Sequence, residues 1–225
     1  MDHSQNQNKM ELAKEGIPII LALVAAGLLV SFIPFTFFRI LGAVLFVLGL
    51  FSCFFFRDPR RNIVADPSVF VAPADGRVLE VTEEENPYLQ GKTKVVKIFL
   101  SIFNVHIQRS PLEGKISKIE YKKGKFLDAR NPRASFENEN NSFVIENNDC
   151  KVVVKQISGF IARRIVSWGR VGQSVQMGQK IGLIRFGSQV DLYLPQDVEL
   201  CVEKGDKVMA GVSIIAFQKK KIQPK

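Results

Sequence analysis

Two uncharged, apolar runs open the chain. Residues 16–38 carry no charged side chain, and after Arg39 neither do residues 40–56. About 20 apolar residues cross a bilayer as a helix. Pro34 and Arg39 divide the stretch, so the pattern predicts two short helices joined near residues 34–37. A cleaved signal peptide would have a shorter apolar core and a small-residue cleavage site, and no such site follows; a core hairpin of a soluble protein is the other alternative. Lys9 and Lys14 precede the runs, and Arg57, Arg60 and Arg61 follow them. Basic flanks favour the cytoplasmic side, and both ends of a hairpin satisfy that preference together. The expected organisation is a tail over 1–15, a membrane helical hairpin over 16–56 and a domain over 57–225 on the cytoplasmic side of the cell membrane.

Beyond Arg57 the pattern changes to alternation. Residues 77–81, 94–100 and 150–157 read as strands. Turn signals separate them at Ala74-Asp75-Gly76, Glu85-Asn86-Pro87 and Asn147-Asn148-Asp149. Residues 158–167 have room for a short helix. Val171-Gly-Gln-Ser-Val-Gln-Met-Gly-Gln-Lys-Ile181 is weakly echoed by Glu203-Lys-Gly-Asp-Lys-Val-Met-Ala-Gly-Val-Ser213, with glycines suited to tight turns. The expected fold class is β-rich, all-β or α+β. Its short strands resemble the barrel-sandwich arrangement of lipoyl and biotinyl domains, without the lysine hairpin of a swinging-arm carrier.

Charge and cysteine usage narrow the function classes. The formal net charge is +9, with basic residues recurring at Lys122, Lys123, Lys125, Arg130 and Arg133 and again at Lys219, Lys220 and Lys221. Such surfaces attract nucleic acid or anionic lipid. The apolar hairpin favours lipid, and no nucleic-acid-binding motif is present. Cys53, Cys150 and Cys201 are isolated, so neither a disulfide framework nor a zinc site is expected. The two histidines, His3 and His106, exclude a histidine-rich metal site.

Three segments carry candidate chemistry: Val71-Ala-Pro-Ala-Asp75-Gly76, Phe99-Leu-Ser-Ile-Phe-Asn-Val-His106-Ile-Gln-Arg109-Ser-Pro111, and Gly182-Leu-Ile-Arg-Phe-Gly187-Ser188-Gln-Val-Asp191. Their order and spacing resemble the phosphatidylserine decarboxylases in their short form, over roughly residues 54–216. The resemblance implies a proenzyme. The Ser188 hydroxyl attacks the Gly187 carbonyl, the chain breaks into a beta chain (1–187) and an alpha chain (188–225), and Ser188 becomes a pyruvoyl group. That group forms a Schiff base with phosphatidylserine and releases carbon dioxide and phosphatidylethanolamine, in phospholipid biosynthesis. Neither a metal nor pyridoxal phosphate is required. The implied partners are phosphatidylserine, anionic membrane lipid, and the two cleavage fragments as a heterodimer or a higher oligomer of it.

The residues themselves fit that chemistry. Gly187-Ser188 falls at an expected bend between strands, and glycine leaves the serine oxygen an open approach. Serine needs a base to act as a nucleophile, and His106 is the histidine of the expected soluble domain. Asp75 would orient the imidazole, as the third member of such sets does, although Asp-Gly is also an ordinary turn. Arg109 stands where long-form members carry a second histidine. That leaves His106 to serve both self-cleavage and decarboxylation, or passes one step to another group. Arg109 suits a substrate phosphate or carboxylate, and equally a surface ion pair. Gln189 stands where the long form has threonine. Asn138-Glu-Asn-Asn141 resembles a further family segment and reads as a polar loop or a lining of the site. Two other functions remain open: a membrane-anchored barrel-sandwich adaptor, and a pyruvoyl decarboxylase for another amine.

Overall fold

The computed structural model describes residues 11–64, 66–89, 91–160, 164–185 and 187–218. It divides into two compact units, Met1–Arg60 and Arg61–Lys225.

The first unit is the hairpin. A short strand β1 (Glu11–Leu12) and a 3-10 turn (Lys14–Gly16) lead into α1 (Ile17–Ser31), then α2 (Thr36–Phe55) and β2 (Arg57–Asp58), which pairs antiparallel with β1. The turn between the helices contains Pro34, which cannot continue a helical hydrogen-bond ladder. The helices cross closely through small residues, as helices in lipid do: a Cβ on Gly27 would lie 2.9 Å from the Gly42 carbonyl oxygen. Leu21, Leu29, Phe37, Ile40 and Val47 are exposed on this unit. Residues Lys14–Ser31 and Thr36–Phe55, of mean hydropathy 1.8 and 2.2, are long and apolar enough to cross a membrane.

The second unit is built from antiparallel strands: β3 (Val69–Val71), β4 (Gly76–Glu85), β5 (Lys92–Leu100), β6 (Ile107–Arg109), β7 (Gly114–Lys122), β8 (Asn140–Glu146), β9 (Lys151–Ser158), β10 (Ile165–Ser167), β11 (Ser174–Val175), β12 (Lys180–Ile184), β13 (Ser188–Leu194), β14 (Glu199–Leu200), β15 (Lys207–Val208) and β16 (Ile214–Phe217). One turn of helix, α3 (Ala134–Glu137), precedes β8. The eight-stranded sheet runs β11-β7-β8-β9-β13-β5-β4-β15, and two three-stranded sheets run β10-β12-β6 and β14-β16-β3. The β-rich class therefore holds. In the stretch expected to allow a helix, the described residues include the strand β10 and no helix; residues 161–163 lie outside the described residues.

The sequence echo has a structural meaning. Gly172 and Gly178 in one copy, and Gly205 and Gly211 in the other, all adopt positive φ, between 75° and 101°. Each copy delivers a two-residue strand to a strand that begins at glycine: β11 pairs at Gly114, β15 at Gly76. Those glycines end two similar turns, Pro73-Ala-Asp75-Gly76 and Pro111-Leu-Glu113-Gly114. The turns are cross-linked, since the Arg109 amide donates to the Pro73 carbonyl at 2.8 Å and the Val71 amide to the Pro111 carbonyl at 2.9 Å.

β13 runs through the middle of the large sheet, with β9 on one side and β5 on the other. Its Val190, Leu192 and Leu194 join the main core with Ile98, Leu100, Phe143 and Val154. Tyr193 packs on the opposite face with Val95, Val144 and Val153. Leu192 is fully buried, so Leu192→Ala should cost about 2–5 kcal/mol, read as a lower urea midpoint. An unchanged midpoint would contradict the central position of β13.

Candidate active site

Ser188 is the first residue of β13 and lies opposite Leu100 of β5 and Ser158 of β9. Both neighbours fix its backbone, so it already belongs to the sheet rather than to the bend that the sequence predicts. Its side chain is completely buried. Its Oγ has no hydrogen-bond partner among the described residues. Leaving a buried hydroxyl unsatisfied is costly, and where it occurs it marks a group held for another purpose.

Gly187, one residue earlier, has φ +68°, a conformation that costs an L side chain about 1 kcal/mol or more. Gly159, which follows β9, leaves space for the same peptide. A Cβ on Gly159 would overlap the Gly187 carbonyl oxygen. A cavity of about 340 Å3 opens beside Gly187, lined also by Phe99, Leu100, Ile102, Arg130 and Phe160.

His106 is fully buried just before β6. The preceding loop is closed by Asn104, whose Oδ1 accepts from the Ser101 amide at 2.9 Å and the Ser101 hydroxyl at 2.7 Å. That closure presents the Asn104 carbonyl to His106 Nδ1 at 2.9 Å. A carbonyl only accepts, so in the neutral imidazole Nδ1 carries the hydrogen and Nε2 keeps its lone pair. Nε2 accepts from the Gly187 amide at 3.3 Å. The histidine and the Gly-Ser pair, 81 residues apart in sequence, thus meet directly.

The His106 backbone is held by a buried chain of amides. Gln108 Nε2 donates to the His106 carbonyl at 2.8 Å, Gln156 Nε2 to Gln108 Oε1 at 2.7 Å, and Asn141 Nδ2 to Gln156 Oε1 at 3.0 Å. Asn138 Nδ2 donates to the Ser158 carbonyl at 2.7 Å, opposite Ser188. The asparagine cluster therefore braces the strands around the site. Gln108 and Gln156 escaped the sequence analysis because a glutamine in an alternating strand resembles an exposed position. Their signal was their place on strands with few exposed residues.

Asp75 and Arg109 are placed differently. The Asp75 carboxylate accepts from Arg61 Nη2 at 2.7 Å and from the Ala210 amide at 2.9 Å. His106 Nδ1 itself lies on the Asn104 carbonyl. Arg109 is buried, and its Nη1 donates to the Gly178 carbonyl at 2.9 Å. Both thus join the glycine turns of the echoed segments.

The other face of β13 carries a buried polar strip. Gln189 Nε2 donates to Ser135 Oγ at 2.8 Å and to Asp191 Oδ1 at 2.5 Å. Lys155 Nζ donates to the Ser135 carbonyl at 2.5 Å. Lys97 pairs with Glu84 at 2.7 Å and Glu80 at 3.1 Å. Burial pushes the Asp191 carboxyl up to about 6, opposed by Gln189 and by the Lys155 charge. Burial also lowers Lys155 below the usual lysine range. Among the described residues, no group of three or more His, Cys, Asp or Glu side chains is arranged to hold a metal ion.

An unpartnered buried hydroxyl, a carbonyl that Gly159 leaves room for, and an imidazole whose Nε2 sits on the Gly187 amide make a set for intramolecular acyl transfer. Comparison with known proteins agrees with that class. The sequence profile of the family described as phosphatidylserine decarboxylase matches residues 48–216. A phosphatidylserine decarboxylase proenzyme of Geotalea uraniireducens is 43% identical over 207 residues, 92% of this chain and 96% of that protein. One of Carboxydothermus hydrogenoformans is 45% identical over 204 residues, 90% of this chain and 94% of that protein. The chain belongs to the phosphatidylserine decarboxylase family.

The Asp191 carboxyl gives a pH test. Its folded value lies above its ordinary 3.8, so the folded protein holds this proton more tightly. That contribution to stability is complete below pH 4 and is lost as pH rises through about 6. On a Ser188→Ala background, Asp191→Asn should remove a loss of about 1–3 kcal/mol between pH 4 and 7. Parallel stability profiles for the two proteins would contradict the assignment.

Proposed function

We propose that this chain is the precursor of a phosphatidylserine decarboxylase that breaks its own backbone between Gly187 and Ser188. The observation that carries the proposal is the buried, unpartnered Ser188 Oγ directly after positive-φ Gly187, with His106 Nε2 on the Gly187 amide.

His106 takes the Ser188 hydroxyl proton as the oxygen adds to the Gly187 carbonyl. The amide C–N bond breaks and an ester forms, with the proton delivered to the Ser188 nitrogen. Loss of the residue-188 α-proton then expels the Gly187 carboxylate and leaves a dehydroalanyl residue. Water adds, ammonia leaves, and residue 188 becomes a pyruvoyl group. Gly159 contributes by omission, since a side chain there would block the Gly187 carbonyl. When formed, the pyruvoyl group supplies a carbonyl that captures an amine and accepts the electrons released with carbon dioxide. The chain's own task is then to hold residue 188 still, through the β5 and β9 pairings, and to keep a proton carrier at His106. Asp75 supports the site by fixing the turns below it through Arg61, and Arg109 does so at Gly178, each a positioning role.

The hairpin brings the lipid to the enzyme. Its two helices anchor the chain, the basic flanks put the catalytic unit on the cytoplasmic side, and confinement to the surface raises the local substrate concentration.

The purified full chain should release carbon dioxide from phosphatidylserine in mixed micelles. Ser188→Ala should release none and run as one uncut band. His106→Gln should slow cleavage by about 100-fold or more, the usual scale of a general base. A Ser188→Ala protein that still cuts and decarboxylates would defeat the proposal.

The fragments should stay together. Residues 188–225 supply β13, inside the large sheet, as well as β15 on β4 and β16 on β3. After cleavage the two pieces should co-elute under native conditions and separate only in denaturant. Spontaneous dissociation in native buffer would contradict this topology.

A further inference from the structure

We infer that Arg130 recognises the phosphodiester of the substrate headgroup, an inference that rests on the decarboxylase proposal and assigns a specificity-determining residue within it. Arg130 lines the 340 Å3 cavity whose wall is Gly187. It also lines a second cavity of about 330 Å3, whose wall includes Gln189, Ser135, Lys97 and Lys204. Arg130 is therefore shared by a mostly apolar cavity beside Gly187 and a polar one beside Gln189 that also holds Glu80.

The side chain is prepared for such a role. Asp128 grips it with both oxygens, accepting from Nε at 3.0 Å and from Nη2 at 2.7 Å, while the Arg130 amide donates to Asp128 Oδ1 at 2.8 Å. Phe99 supports it from below, with the guanidinium carbon 5.8 Å from the ring centroid. Asp128 takes two of the five donors on a guanidinium, and the side chain remains 66% exposed. The Arg130 hydrogen bonds and charge hold the Asp128 carboxyl down at about 2, so the clamp stays ionised throughout the neutral range. A fixed, exposed guanidinium fork matches the paired oxygens of a phosphodiester, which a lysine meets only as a point charge.

Substrate chemistry explains the position. In phosphatidylserine, two carbons separate the amine nitrogen from the phosphodiester oxygen. An amine directed at residue 188 leaves the phosphodiester close by, in the same cavity or across its rim. Arg130 stands on that rim, with Lys204 on the wall of the neighbouring cavity, where Lys97 is already paired with Glu80 and Glu84. Exposed Phe160 also lines the cavity and offers an apolar surface to the lipid.

The test uses the full-length processed enzyme in neutral-detergent mixed micelles, with glycerophosphoserine, the same headgroup without acyl chains, as competitor. Self-cleavage reports folding and should proceed in Arg130→Gln as in the parent. The KM for phosphatidylserine should rise about tenfold or more, as expected for loss of a charge-assisted contact, with kcat changed much less. The inhibition constant of glycerophosphoserine should rise by a similar factor. Arg130→Lys should fall between the parent and Arg130→Gln in both. Unchanged KM and inhibition constants would overturn the inference. A higher KM with an unchanged inhibition constant would assign Arg130 to the micelle surface and overturn it too. If Arg130→Gln does not cleave, Arg130→Lys decides alone, and parental constants in that variant count against the inference. A parent enzyme that releases no carbon dioxide from phosphatidylserine would instead sink the underlying proposal.

Discussion

The site depends on the double pairing of β13. A strand with hydrogen-bonded neighbours on both sides has little freedom to shift, because a one-residue slip would turn every core side chain outward. Val190, Leu192 and Leu194 fix the register from the core side, and Gln189 and Asp191 fix it from the other face through Ser135. Ser188, the proposed nucleophile, is the first residue of that strand, and the peptide before it lies just outside. The bond proposed to break thus sits at the boundary between a doubly paired strand and a glycine with positive φ.

The same pairing serves two stages. Before the proposed cleavage it fixes the backbone of Ser188 directly after Gly187. After cleavage residue 188 is a chain end, and chain ends are ordinarily mobile. In the intact chain this residue lies opposite Leu100 and Ser158, so the proposed pyruvoyl group would inherit the order of the sheet. This is pre-organisation in the physical sense: the ordering cost is met during folding, before substrate arrives.

Much of this was legible in the sequence. The apolar runs gave the hairpin because length and the absence of charge leave few alternatives. Alternation located β4, β5 and β9 to within a few residues. Gly187, Ser188 and His106 were found as one group through three ordered segments, and the fold brings them together. Other features were less accessible. Asp75 and Arg109 sit in the same segments, yet Asp75 accepts from Arg61 and the Ala210 amide and Arg109 donates to the Gly178 carbonyl, a difference that depends on side-chain direction across the paired turns. The Gln108-Gln156-Asn141 chain was hidden because burial of both faces of a sheet is set by distant parts of the chain. Arg130 looked like one of many surface cations, and its distinction comes from the cavities on either side of it.

The most direct test of the central claim is the intact mass of the purified protein under denaturing conditions. The account predicts two species: a fragment ending in the free carboxylate of Gly187, and a fragment of residues 188–225 whose first residue is a pyruvoyl group in place of serine. Both should disappear in favour of one full-length mass when Ser188 is replaced by alanine. A single full-length mass from active parent enzyme, or a break at any other peptide bond, would contradict it.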